Sequence, residues 1–201
     1  MPHDPTHLPD ALPAPTDDGA AVHLPHMPVP PIALPSSNGG LCRIDTPPAG
    51  FERLIVYAYP LTGKPGVDPP SGWDAIPGAR GCTPESCGFR DHEGELAEYG
   101  AAVVGLSTQS TGYQQEAARR LRLPFPLLSD ARLALADALR LPVFTIPLRP
   151  EQDGGGTKTL LKRITLVVNQ GVIEHVVYPI LSPDRHAADV LEWLRARPAR
   201  S

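Results

Sequence analysis

The hydrophobic period along this chain switches repeatedly between a strand's and a helix's. Arg53–Tyr59 (Arg-Leu-Ile-Val-Tyr-Ala-Tyr) is a continuous β-branched and aromatic run, the pattern of a strand buried on both faces of a sheet, and Ala101–Ser107 reads as a second strand. Helical spacing predicts helices over Thr83–Tyr99, stopped by Gly100, and over Thr111–Leu121. Phe125–Leu128 reads as a short strand, and Ala131–Leu139 as a helix with Asp130 at its N-cap. Thr159–Val168 and Val172–Tyr178 read as two strands turned by Asn169-Gln170-Gly171, and Pro183–Arg197 as a closing helix. Near the start, Pro30–Asp45 carries two short extended runs around Asn38-Gly39, a hairpin signature.

The order of these elements is β-α-β-α-β-α-β-β-α, with crossover connections early and a hairpin late. It predicts an α/β, thioredoxin-like three-layer fold: a mixed central sheet, helices on both faces and an N-terminal hairpin. Residues 1–27 show neither period and are expected to form an extended or disordered arm, leaving 28–201 as the folded domain. Composition agrees, since 12 of the 26 prolines fall in residues 1–48. Leu61–Ile76, rich in Pro and Gly, is a loop long enough to be functional or inserted, and Leu148–Thr157 is a flexible loop.

Charge narrows the function. With 18 Lys+Arg against 22 Asp+Glu, the net charge of −4 argues against a dedicated nucleic-acid binder. No apolar run approaches the ~18 residues of a membrane helix, and the N-terminus has no secretory pattern, so a cytoplasmic protein is expected. His3, His7, His23 and His26 sit in the arm without the other ligands a metal site needs, and the arm reads as solvated.

Three cysteines are too few for a disulfide framework. Cys82 and Cys87 have four residues between them, which matches neither the spacing of a zinc ribbon nor that of a thioredoxin-type dithiol, and Cys42 has no comparable setting. At the start of the Thr83–Tyr99 helix, however, Cys82 faces unpaired N–H groups and the positive end of the dipole, both of which favour thiolate. Arg80 lies next to it, and any further arginine brought in by the fold would add to the effect. A thiolate there can attack a peroxide oxygen to give a sulfenic acid, which a second thiol, Cys87, can condense with. Five residues of intact helix span about 7.5 Å, beyond the reach of a disulfide, so the first turns would have to unwind. Gly81 and Gly88 flank the pair and make that opening cheap. A thiol-disulfide oxidoreductase and a redox-sensing interaction module are the competing readings.

The segment Gly81-Cys82-Thr83-Pro84-Glu85-Ser86-Cys87-Gly88-Phe89-Arg90-Asp91 resembles the active-site segment of peroxiredoxins of the bacterioferritin-comigratory-protein, or Q, type. The resemblance extends to Ile55–Pro60, Val104–Ser107, Phe125–Asp130 and Gly171–Val176, and covers about 28–197. It implies a peroxidatic Cys82, a resolving Cys87 and a thiolate-supporting Arg163 in the setting Arg163-Ile164-Thr165; by itself Arg163 reads as a solvated strand charge. It also implies hydrogen peroxide and organic hydroperoxides as substrates, thioredoxin or a similar dithiol as reductant, a monomer, and no cofactor or metal. The family carries a Pro and a Thr or Ser where this chain has Ala75 and Ala79. Pro60 is that proline displaced by an insertion, Leu61–Ala75. The hydroxyl then has to come from Thr83, Thr62 or another residue, so Thr83 and Arg80 are the expected substrate contacts. Trp73 could line the pocket or pack the insertion down, and Arg90 could share the face of Cys82 or pair with Asp91 or Glu93.

Overall fold

The computed structural model describes residues 4–6, 8, 9, 12–148 and 155–197. Among these, β1 (Leu34–Pro35) and β2 (Leu41–Cys42) form the expected hairpin, followed by β3 (Arg53–Ala58) and a 3-10 turn at Trp73–Ala75. The chain continues through α1 (Cys82–Asp91), α2 (Glu93–Glu98), β4 (Ala101–Ser107), α3 (Thr111–Leu121), β5 (Leu127–Ser129) and α4 (Ala134–Leu139). It ends with β6 (Val143–Pro147), β7 (Thr157–Leu161), β8 (Ile164–Asn169), β9 (Val172–Val177) and α5 (His186–Arg195). The central sheet runs β5-β4-β3-β8-β9, with β3, β4 and β5 parallel and β8 and β9 antiparallel, a mixed sheet of thioredoxin-like order.

Successive residues of β3 point to opposite faces, and both faces are apolar. Leu54, Val56 and Ala58 join α4 and the N-terminal hairpin in one cluster; Ile55, Tyr57 and Tyr59 join Phe89 of α1, Leu96 of α2 and Leu191 of α5 in the other. This explains why β3 reads as a continuous apolar run rather than an alternating one.

Four local readings change. The helix expected over Thr83–Tyr99 is two helices broken at His92, whose ring hydrogen-bonds the Gly88 carbonyl at 2.9 Å. Asp130 does cap α4, but from further upstream: its carboxylate accepts from the N–H groups of Leu135 and Ala136, so the helix starts at Ala134 instead of Ala131. The strand expected over Thr159–Val168 is two strands in two sheets, separated at Lys162-Arg163. β6, which the proline-bounded run Val143–Pro147 did not announce, pairs with β7 in a second, two-stranded sheet. Residues 149–154 of the expected loop lie outside the described residues.

The segment before residue 28 is held against the domain where it is described. Ala21 and Leu24 are buried in the main core, and complete burial of Leu24 contributes about 2 kcal/mol. Asp18 takes an ion pair from Lys162 at 2.6 Å and a hydrogen bond from Tyr178 at 2.8 Å. Residues 26–29 exchange backbone hydrogen bonds with the edge strand β9, which shields that edge.

Candidate active site

Strand register assembles the site. Ala58 pairs with Ile164, so Arg163 arrives at the carboxyl end of β3, where the chain leaves the sheet through Tyr59, Pro60, Leu61 and Thr62. The neighbouring β4 ends at Ser107 and delivers Thr108 and Gln109 to the same end. In open α/β sheets this is the end at which ligands bind.

Cys82 is the first residue of α1 and is buried. Gly81 before it has a left-handed backbone (φ 104°), and a Cβ there would lie 2.3 Å from Pro183, so only glycine permits this helix entry. One Nη of Arg163 donates to the Cys82 sulfur at 3.2 Å and to the Arg80 carbonyl at 2.9 Å; its other Nη donates to the Glu85 carboxylate. Glu85 and Arg163 are both fully buried, a pair whose disruption would leave an uncompensated charge. The Cys82 thiol also faces the Ala79 carbonyl at 3.6 Å, and the Leu61 N–H reaches the sulfur.

The electrostatics correct the expected lowering of the Cys82 thiol: in the folded chain its net shift is upward, because desolvation outweighs the groups that favour thiolate. Burial pushes the Cys82 thiol above its ordinary value; the Arg163 charge and the Leu61 N–H pull it down, while Glu85 pushes it up. Burial likewise raises Glu85, to about 7, against the pull of Arg163. The proton on this cluster is therefore set by the competition between desolvation and one guanidinium. Beneath it, Tyr57 donates to Ser86 at 3.1 Å and Ser86 to the Cys82 carbonyl at 2.9 Å, fixing the first turn of α1. His186 hydrogen-bonds Thr165 at 2.8 Å and is held at about 3, first by burial and then by Arg163, so it is neutral at physiological pH.

A cavity of about 250 Å³ opens onto Cys82 and is lined also by Thr62, Thr83, Trp73, Tyr113 and Lys158. Thr83 Oγ is buried without a hydrogen-bond partner among the described residues. The insertion makes one wall, and β6 with β7 makes another. Trp73 does both things open to it, lining the cavity and packing with Ala79, Ile146 and Leu160. Arg80 also lines the cavity, with its guanidinium tied to Asp74 of the insertion at 2.5 Å. Its carbonyl accepts from the Arg163 Nη that reaches the sulfur.

Cys87 is half-buried on the same helix, and burial raises its thiol against the pull of Arg90. Arg90 pairs with Asp91 at 2.8 Å and donates to the Leu121 carbonyl at 2.8 Å, away from Cys82. Cys42 is half-buried against the core cluster on the other face of the sheet from the one that holds Cys82.

The sequence reading missed Glu85, His186 and the Thr62–Gln109 contact. Glu85 was findable: three residues after Cys82 on a helix, it shares that face. The other two depend on contacts across long sequence separations and left no local signal.

The sequence pattern of the AhpC/TSA family matches residues 75–176, and the chain belongs to that family. Among relatives, the peroxiredoxin bcp of Coxiella burnetii is 28% identical over 158 residues, 79% of this chain and 89% of that protein. Peroxiredoxin Bcp of Escherichia coli is 27% identical over 167 residues, 83% and 92% of the two chains. The crystal structure of peroxidoxin BcpB from Mycobacterium tuberculosis superposes with a TM-score of 0.66 at 28% identity, over 88% of this chain and all of that one. Within the family, therefore, the branch is the bacterioferritin-comigratory-protein, or Q, type of peroxiredoxin, and the chain is a thiol peroxidase enzyme. Among the described residues no helix is long and apolar enough to cross a membrane.

Proposed function

We propose that this peroxidase reduces hydrogen peroxide and organic hydroperoxides through a sulfenic acid on Cys82. The observation that carries the reading is the Arg163 Nη group 3.2 Å from a sulfur seated at a helix N-terminus and open to a cavity. The Cys82 thiolate attacks the terminal peroxide oxygen; the S–O bond forms as the O–O bond breaks, and both electrons of that bond leave on the departing oxygen. Arg163 and the free N–H groups of α1 face the charge that develops there. The departing oxygen takes up a proton, which balances the one the thiol gave up. Thr83 contacts the peroxide through its unpartnered hydroxyl, and Arg80 orders the rim and the carbonyl that holds Arg163.

Cys87 then attacks the sulfenic sulfur, releasing water and forming a disulfide. With α1 intact the two residues are about 7.5 Å apart along the axis, so its first turns must unwind before the bond can close. Thioredoxin or a similar dithiol restores both thiols by exchange. We place the enzyme in the cytoplasm as a monomer, with residues 1–27 as an arm on the domain formed by 28–201.

The test is the mass of the reduced protein after one equivalent of hydrogen peroxide, with peptide mapping. Loss of two hydrogens with Cys82 joined to Cys87 is expected. A stable added oxygen on Cys82 would mean that an external thiol resolves it, and an unchanged mass would overturn the proposal.

A further inference from the structure

Three hydroxyl-bearing residues, Thr62, Thr83 and Tyr113, line the cavity that opens onto Cys82, and they differ in freedom. Thr83 Oγ has no hydrogen-bond partner among the described residues, so its hydrogen can turn either way. Thr62 is fully buried and fixed: its hydroxyl and its backbone N–H both donate to Oε1 of Gln109, at 3.0 and 3.1 Å. Gln109 returns a bond from Nε2 to the Thr62 carbonyl at 3.4 Å, and Tyr113 donates to the same carbonyl at 2.8 Å. Gln109 is itself anchored, its N–H donating to Ser107 at 3.2 Å and its carbonyl accepting from Ser129 at 2.7 Å. The residue before Thr62 already reaches the sulfur through its N–H. Ala79, three residues before Cys82, presents only a methyl group, sequestered with Trp73, Ile146 and Leu160.

With its proton committed to Gln109, the Thr62 hydroxyl has only lone pairs left for the cavity. A hydroxyl so held can only accept, as from a hydroperoxide O–H, and has no proton to offer a departing oxygen. We propose that Thr62 is the catalytic hydroxyl that orients the hydroperoxide, and that Gln109 is the positioning residue that makes it an acceptor. This rests on the peroxidase reading above. The O–H bonded to Thr62 belongs to the oxygen that Cys82 attacks, so that hydrogen stays on the oxygen transferred to sulfur. The O–O bond is thereby turned in line with the sulfur, and its far oxygen towards Arg163.

The test compares two reactions of Cys82 in the full-length chain: oxidation by hydrogen peroxide or cumene hydroperoxide, and alkylation by iodoacetamide, which uses the same thiolate and no peroxide. Thr62→Val keeps the shape and is expected to slow peroxide oxidation about 10- to 100-fold while leaving alkylation unchanged. Thr62→Ser is expected to restore most of the oxidation rate. Gln109→Met, which frees the Thr62 proton, should slow oxidation to a smaller degree. Equal losses in oxidation and alkylation, unchanged oxidation in Thr62→Val, or a Thr62→Ser variant as slow as Thr62→Val would each overturn the assignment. Failure of the unaltered chain's Cys82 to react with peroxide would instead overturn the peroxidase reading, and this assignment with it.

Discussion

Cys82 and Cys87 stand on one helix, about a turn and a half apart, in opposite settings. Cys82 is buried at the positive helix end among Arg163, Glu85 and backbone groups that fix its sulfur. Cys87 is half-buried among Arg90, Asp91 and Arg120. Burial raises both thiols, but only Cys82 has a buried guanidinium opposing it at hydrogen-bond distance. Position within the helix, more than residue type, thus separates a thiol that is organised from one that is merely available. The difference also sets a cost: the fixed contacts of the first turn must be given up before the two sulfurs can meet.

The largest test of the contrast is removal of each thiol. Cys82→Ser should abolish turnover, while Cys87→Ser should still form one equivalent of sulfenic acid on Cys82, read by mass. Loss of that first oxidation in Cys87→Ser would erase the distinction. Next, Arg163→Met should slow Cys82 oxidation about 10²- to 10³-fold, the effect of losing one preorganised donor, with Cys87 alkylation unaffected.

Two groups packed around the buried end titrate with opposite effects on stability. His186 sits near 3 against an ordinary 6.5, so the stability it contributes is present above 6.5 and is lost as pH falls towards 3. Glu85 sits near 7 against 4.5, so its penalty is full above 7 and is relieved as pH falls towards 4.5. Between 4.5 and 6.5 the two slopes oppose, each about 1.4 kcal/mol per pH unit at most. Denaturant midpoints should therefore fall with acid more steeply in Glu85→Gln than in the unaltered chain, and less steeply in His186→Gln. The smallest effect is expected from Gly88→Ala. A Cβ there meets Ala187 and the Asp184 carbonyl at an ordinary 3.6 Å, so the substitution fits and firms the helix by up to about 1 kcal/mol. Disulfide closure, followed by quenched alkylation, should slow while the first oxidation keeps its rate.

Much of the architecture was legible because its signals are local. The buried runs of β3 and β4, the Gly-Cys helix start and the Thr111–Leu121 helix each express a period or a cap within a few residues. The resemblance of Gly81–Asp91 to the peroxiredoxin segment marked Cys82 and Cys87 for the same reason: their spacing is written in one stretch of chain. The break at Lys162-Arg163 was not legible, since Thr159–Val168 is apolar enough for one strand and only pairing with two different sheets divides it.

What the sequence alone determined is the thioredoxin-like order of elements and the presence of two thiols at a helix start. Tertiary structure decided what surrounds the sulfur. Arg163 reaches Cys82 from 81 residues away through the β3–β8 register, Glu85 becomes its buried counter-charge, and Thr62 is fixed by Gln109 47 residues on. Periods and caps are properties of neighbours along the chain, whereas a charge buried beside a thiol, and the direction of a hydroxyl's proton, exist only once distant segments have excluded water between them.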